Sequence, residues 1–186
     1  MECLKLGLDI FLERSIQTSI VNNHTVTYKP TALAENPAQL EFNCSGYSDY
    51  CIDLTSARLV LRIKLVKTDG SDLASAEANT VGCANNVLHS MYSSLSVSLN
   101  GKPVTLHESN YLHKAYLEKL LNYGSDASGT HLLTTFWFLD SPTGDGELKD
   151  NTGYATRLNY LSNSKAMELY GRLHADLFNS DKMLMV

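Results

Sequence analysis

Six histidines, His24, His89, His107, His113, His131 and His174, and four cysteines, Cys3, Cys44, Cys51 and Cys83, are the residues with which this chain could hold a metal or activate a nucleophile. No two histidines stand as H-x-x-x-H and the cysteines lack C-x-x-C spacing, so the short-range ligand pairs that mark a zinc site are missing. Scattered cysteines in an intracellular compartment read as reduced, buried thiols. His107 and His113 bracket the start of a helical segment with Glu108 between them, an arrangement that could gather a metal or an acid–base pair; capping and surface roles account for it more simply. Asp140, Asp145, Glu147 and Asp150 could offer oxygens to calcium, but without the ligand spacing of an EF-hand loop they read as a solvated loop. G-x-S-x-G, Walker and G-x-G-x-x-G sequences do not occur, which removes the local signatures of common serine hydrolases, P-loop nucleotidases and dinucleotide-binding enzymes. No catalytic, cofactor-binding or metal residue is therefore assigned, and the chain is expected not to be an enzyme.

Tyr92, Tyr111, Tyr116, Tyr123, Phe136, Trp137 and Phe138 could form a sugar-stacking face, although aromatic rings at such positions more simply fill a core. Asn23-His24-Thr25 and Asn43-Cys44-Ser45 match the glycosylation pattern, which requires a secretory route. The N-terminus has an acid and a base inside a short apolar stretch, unlike a signal peptide, and no run approaches membrane-spanning length. A soluble, intracellular protein is expected.

The elements that must position these residues are mostly extended. Leu59, Leu61, Ile63 and Leu65 share one face while Arg58, Arg62 and Lys64 take the other, with Val60 and Val66 as exceptions; this is a strand with one buried side. Leu95 to Leu99 alternates in the same way and runs into Asn100-Gly101, the dipeptide that best adopts a type I′ hairpin turn. A return strand over 102–106 follows, with Pro103 confining it to an edge. Further strands are expected over 25–28, 40–44, 132–139 and 167–178. Thr135-Phe136-Trp137-Phe138-Leu139 is apolar on both faces, which predicts a strand covered twice. One segment breaks the pattern: Leu112, Tyr116, Leu120 and Tyr123 follow helical spacing, with Ser109 as N-cap and Gly124 as a left-handed C′ residue. Glu118, Lys119 and Asn122 form its outer, polar face.

At 186 residues, 44% apolar and 19% charged, the chain can bury a core of its own. Its net charge of −5 leaves no global footprint for nucleic acid or an anionic membrane. Short antiparallel strands, many turns and one inserted amphipathic helix predict an all-β, antiparallel jelly-roll sandwich, with an open α+β layer or a barrel as the alternatives. The apolar ending Lys182-Met183-Leu184-Met185-Val186 suggests a truncated product.

Several segments, in order, resemble a known family: Leu8-Asp9-Ile10-Phe11 with Gln17-Thr18-Ser19-Ile20, Tyr50-Cys51-Ile52-Asp53-Leu54, Asn86-Val87-Leu88-His89-Ser90-Met91 and Val97-Ser98-Leu99-Asn100-Gly101. Tyr111 to Glu118, Leu120 to Gly124, and Gly171-Arg172-Leu173-His174-Ala175-Asp176-Leu177-Phe178 complete the set. Together they resemble the hexon-like double jelly-roll major capsid proteins of Polinton (Maverick) elements and adintoviruses. The resemblance implies that 1–186 is the first jelly roll, truncated at its C-terminal end, with the second absent. It further implies a structural subunit of an icosahedral viral capsid that self-assembles into trimeric, pseudo-hexagonal capsomers. The partners so implied are copies of itself and other capsid proteins, with no small-molecule substrate, no membrane and only indirect contact with genomic DNA; the location would be the virion. Two alternatives are a lectin-like or cytokine-like jelly-roll binding module and a metal-dependent sandwich hydrolase acting through His107 or His113.

Overall fold

The computed structural model describes residues 18–31, 39–46, 50–73, 81–105, 109–141, 150–180 and 183–185. The chain divides into two units, Met1–Ser45 and Gly46–Val186. In the first, the described residues run without regular ladders. The Thr31 amide donates to the Glu41 carbonyl (2.7 Å) and the Tyr28 hydroxyl to the Ser45 carbonyl (3.2 Å). The strands expected over 25–28 and 40–44 do not form.

The second unit contains strands β1 (Cys51–Ile52), β2 (Arg58–Ile63), β3 (Ser98–Leu99), β4 (Lys102–Pro103), β5 (Met167–Arg172) and β6 (Leu184–Met185). Its helices are α1 (Val87–Ser90), α2 (Tyr111–Asn122), α3 (Ser125–Ser128) and α4 (Thr152–Leu161), with 3-10 turns at Leu54–Ser56, His131–Thr135, Ser162–Ser164 and Asp176–Asn179. Among the described residues the strands form three separate two-stranded antiparallel ladders, β1 with β6, β2 with β5 and β3 with β4. This overturns the jelly-roll expectation. Period-two alternation reports that one side of a strand is buried, not what covers it, and here helices and turns provide the cover.

β2 keeps its alternation: Leu59, Leu61 and Ile63 face the core and the residues between them are exposed. The ladder to β5 runs from Arg58 opposite Arg172 to Ile63 opposite Met167. Val87, Leu88, Phe136, Leu161 and Leu169 form the buried centre, flanked by Leu65, Cys83 and Phe138; each such side chain contributes about 1.5–3 kcal/mol by leaving water. Gly171 makes this packing possible, because a Cβ there would sit 2.5 Å from Leu88 Cδ2 and 2.6 Å from Thr135 Cγ2.

The hairpin turn forms as expected, with Asn100 and Gly101 at φ 49° and 75° joining β3 to β4, but only two residues of each strand pair, in place of the runs expected over 95–99 and 102–106, whose last residue lies outside the described ones. The strand expected over 132–139 does not form. His131–Thr135 winds as a 3-10 turn that ends on Phe136 in a left-handed conformation (φ 63°), which throws Phe136 and Trp137 into the interior. The strand expected over 167–178 stops at Arg172 and gives way to the Asp176–Asn179 turn. α4 was not foreseen. It starts where Asn151 Oδ1 accepts from the Tyr154 amide (3.1 Å), a side-chain N-cap. α2 begins on Asn110 rather than Ser109, and Gly124 lies at φ −83°, leading into α3 instead of closing α2 in a left-handed turn. No described helix is long and apolar enough to cross a membrane.

Candidate functional site

α2 buries a different stripe from the one its leucines predict. Tyr111, Ala115 and Lys119, four residues apart, face inward, whereas Leu120 and Tyr123 are exposed. Lys119, expected on the outer face, is only 3% exposed.

This inward stripe meets α1, the His131–Thr135 turn and the residues after β5. The Asn85-Asn86 turn is stitched to the chain beyond the 3-10 turn: the Asn86 amide donates to the Phe136 carbonyl (3.1 Å) and the Phe138 amide to Asn85 Oδ1 (2.8 Å). Asn86 sits at φ 60°, ψ 42°, a left-handed conformation that asparagine tolerates better than most residues. It points its amide oxygen at Lys119, whose Nζ donates to Asn86 Oδ1 and to Thr135 Oγ1, each at 2.6 Å. The Thr135 hydroxyl donates in turn to the Leu132 carbonyl (2.8 Å). Nζ lies 5.8 Å from the centre of the Trp137 ring, within the range of a cation–π contact.

Next to the lysine stand two histidines whose rings meet edge to face, centroids 4.7 Å apart. His89 Nδ1 hydrogen-bonds the Tyr111 hydroxyl (2.9 Å), and the same hydroxyl accepts from the His174 amide (3.4 Å). His174 Nδ1 hydrogen-bonds Glu118 Oε2 (2.7 Å). Among the described residues, His89 Nε2 and the side-chain Nδ2 atoms of Asn85 and Asn86 are buried without a hydrogen-bond partner.

Burial sets the charges. It pushes His89 down to about 2, with the nearby Lys119 and His174 adding to the effect, and it pulls Lys119 down to about 7. His174 is also lowered by burial, against the opposing pull of its bond to Glu118. The cluster therefore combines an amine of reduced basicity, a neutral imidazole and a His–Glu pair. With His89, Tyr111 and Lys119 closed to solvent, these groups act on one another and not on an outside substrate.

A second polar constellation lies along an open cleft of about 440 Å³ that reaches from Gly82–Asn86 to His113, Tyr116 and Tyr154. Arg157, on α4, donates to the Cys83 carbonyl (3.1 Å) and the Phe138 carbonyl (2.7 Å) and pairs with Asp140 (2.7 Å). It ties α4 to the two segments on which the buried cluster depends.

The residues singled out for chemistry fall elsewhere. His107, Glu108, Asp145 and Glu147 lie outside the described residues; His113 and Asp150 are exposed, and Asp140 belongs to Arg157. Among the described residues no cluster of His, Cys, Asp or Glu could hold a metal. Cys44 and Cys51 are exposed rather than buried, and Cys83 is half-buried. Of the aromatic set, Tyr111, Phe136 and Trp137 are core residues, with Tyr116 stacked obliquely on Trp137 (4.9 Å). Tyr123 is exposed and contacts His131 edge to face.

No family model matches the chain, and no solved structure matches it. An uncharacterized protein from Caenorhabditis elegans is 24% identical over 176 residues, covering 91% of this chain. The chain spans 40% of the length of that curated relative.

Proposed function

We propose that this chain is a structural subunit that works by associating with copies of itself, in the role of a capsid building block. The observation that carries the proposal is the outer side of the β2–β5 ribbon. Val60 and Tyr170 stand opposite each other across the ladder and are 52% and 49% exposed. Among the described residues no third strand extends either side of the ribbon. A two-stranded ribbon with unpaired edges is a template for strand addition, and an aromatic–aliphatic pair on its face adds apolar area to such a contact. The ordered motifs that resemble those of hexon-like capsid proteins favour the same role, with trimeric capsomers as the assembled form. Such a subunit needs a rigid body and sticky edges, and no catalytic group.

Sedimentation velocity and native mass spectrometry across the micromolar range test the proposal. Concentration-dependent trimers or larger species are expected, reduced in a Val60→Lys, Tyr170→Lys double variant whose melting temperature stays close to that of the parent. A chain that remains monomeric at the highest soluble concentration overturns the assignment.

A further inference from the structure

Lys119 places an amine in a chamber that is poorly built for an ammonium ion. An ammonium carries three N–H donors, and besides the Trp137 ring 5.8 Å away the site supplies two acceptors, Asn86 Oδ1 and Thr135 Oγ1. Among the described residues no carboxylate pairs with it, since Glu118 is turned to His174. A buried charge without a counterion is costly, and burial favours the neutral amine, which is nucleophilic. The group it touches is a primary amide, one bond from the carbon that a nucleophile would attack. Among the described residues nothing holds the other end of that amide: Asn86 Nδ2 is buried and without a partner. Asn86, Lys119 and Thr135 are each at most 4% exposed, so water is kept from competing for the same carbon.

We propose that Lys119 and Asn86 become joined by an intramolecular isopeptide bond between Lys119 Nζ and Asn86 Cγ. The lone pair of the neutral amine forms the N–C bond while the carbonyl electron pair moves onto Oδ1. The tetrahedral adduct then collapses, re-forming the carbonyl and breaking the bond from Cγ to Nδ2. One Nζ proton is transferred to Nδ2, so the leaving group departs as ammonia and the product is a neutral secondary amide. No oxidant or reductant is required. Thr135, with its hydroxyl oxygen 2.6 Å from Nζ, is the positioning residue: it holds the amine against the amide. Gly171 keeps the chamber open, since its missing Cβ would lie 2.6 Å from Thr135 Cγ2 and 3.4 Å from His89 Nε2. Holding two reacting groups in contact inside a rigid core replaces an encounter in solution and can supply much of the barrier lowering. The bond would tie the start of α1 to the last turn of α2 whether or not the chain self-associates.

Intact-mass spectrometry of the purified, folded chain, with peptide mapping after digestion, tests this. The expected result is a mass lighter than the sequence mass by one ammonia, and a branched peptide in which Asn86 and Lys119 are linked. The Lys119→Arg variant should have its full sequence mass, and Thr135→Val should form the branched species more slowly during incubation at mildly alkaline pH. A parent chain that keeps its full sequence mass after such incubation overturns the proposal. So does an ammonia loss that persists in Lys119→Arg, which would locate the chemistry in asparagine cyclisation instead.

Discussion

Acidification should loosen this fold well before its carboxylates titrate. His89 falls from 6.5 in the unfolded chain to about 2 in the folded one, chiefly through burial, so between those values the unfolded chain carries a proton that the native state refuses. The sign follows from linkage: the unfolded state binds more protons, stability rises with pH across the window, and it is lost as pH falls below 6.5. Each pH unit is worth about 1.4 kcal/mol per such group. At about pH 5 the loss from His89 alone is therefore about 2 kcal/mol, a large share of a typical 5–15 kcal/mol total. His174 is shifted in the same direction and steepens the slope. Lys119, lowered to about 7, titrates above this window. Asp53 and Asp69, lowered from 3.8 by hydrogen bonds from Ser56, Thr55 and Ser71, act only in its acid end, below the pH at which the comparison is made. Guanidinium unfolding monitored by Trp137 fluorescence at near-neutral pH and at about pH 5 gives the difference directly. His89→Asn keeps a polar atom near the Tyr111 hydroxyl and should flatten the slope by close to one proton. Equal stability at the two pH values in the parent chain, or an unchanged slope in His89→Asn, would refute the reasoning.

Gly171→Ala would drive a methyl group into Leu88 and Thr135 and should cost about 1–3 kcal/mol through overpacking; an unchanged thermal midpoint contradicts the packing described. Arg157→Met removes the donor to two carbonyls and the partner of Asp140. It should destabilise the chain by about 1–3 kcal/mol, chiefly through the carbonyls left without a donor, read by denaturant melts, the half-exposed Asp140 adding little. Cys83 is raised to about 11 by burial, against the opposing field of Arg157. At mildly alkaline pH it should react with a thiol reagent roughly a hundredfold more slowly than a free thiol of pKa 9.0, since the thiolate is the reactive form; a labelling rate equal to that of such a free thiol would contradict this.

Some of this architecture is legible in the residues. The alternation in β2 and the Asn100-Gly101 turn are local signals, and a strand and a turn form there, the strand ending at Ile63 and the hairpin arms two residues long. The fold class is not legible in that way. An alternating strand buries one face whether its cover is another sheet or a helix, and α4, with its weak apolar stripe, gave no sign that helices would do the covering. The run Phe136 to Leu139 looks like a doubly covered strand because it is deeply buried, but its backbone is irregular, turned by the left-handed Phe136. The buried cluster was hidden for a related reason: its members are polar, and polar residues on a helix read as solvent-facing. The spacing Tyr111, Ala115, Lys119 was the available signal. An aromatic residue, a small residue and a long stem in line form a plausible inward stripe once the leucines are not assumed to define it.

The pairing of β2 with β5 also governs how the chain reaches its native state. Arg58 lies opposite Arg172, so a loop of roughly 110 residues must close before the ladder gains its first bond, and the entropy of that closure precedes any reward. Folding should be slow relative to a helical protein of the same size, because so many of its contacts are distant in sequence. During synthesis, Leu59, Leu61 and Ile63 leave the ribosome long before Met167 to Arg172 can meet them. Throughout that interval an apolar strand is left without its complement, which makes premature sticking between nascent chains the main hazard that the pairing must outrun.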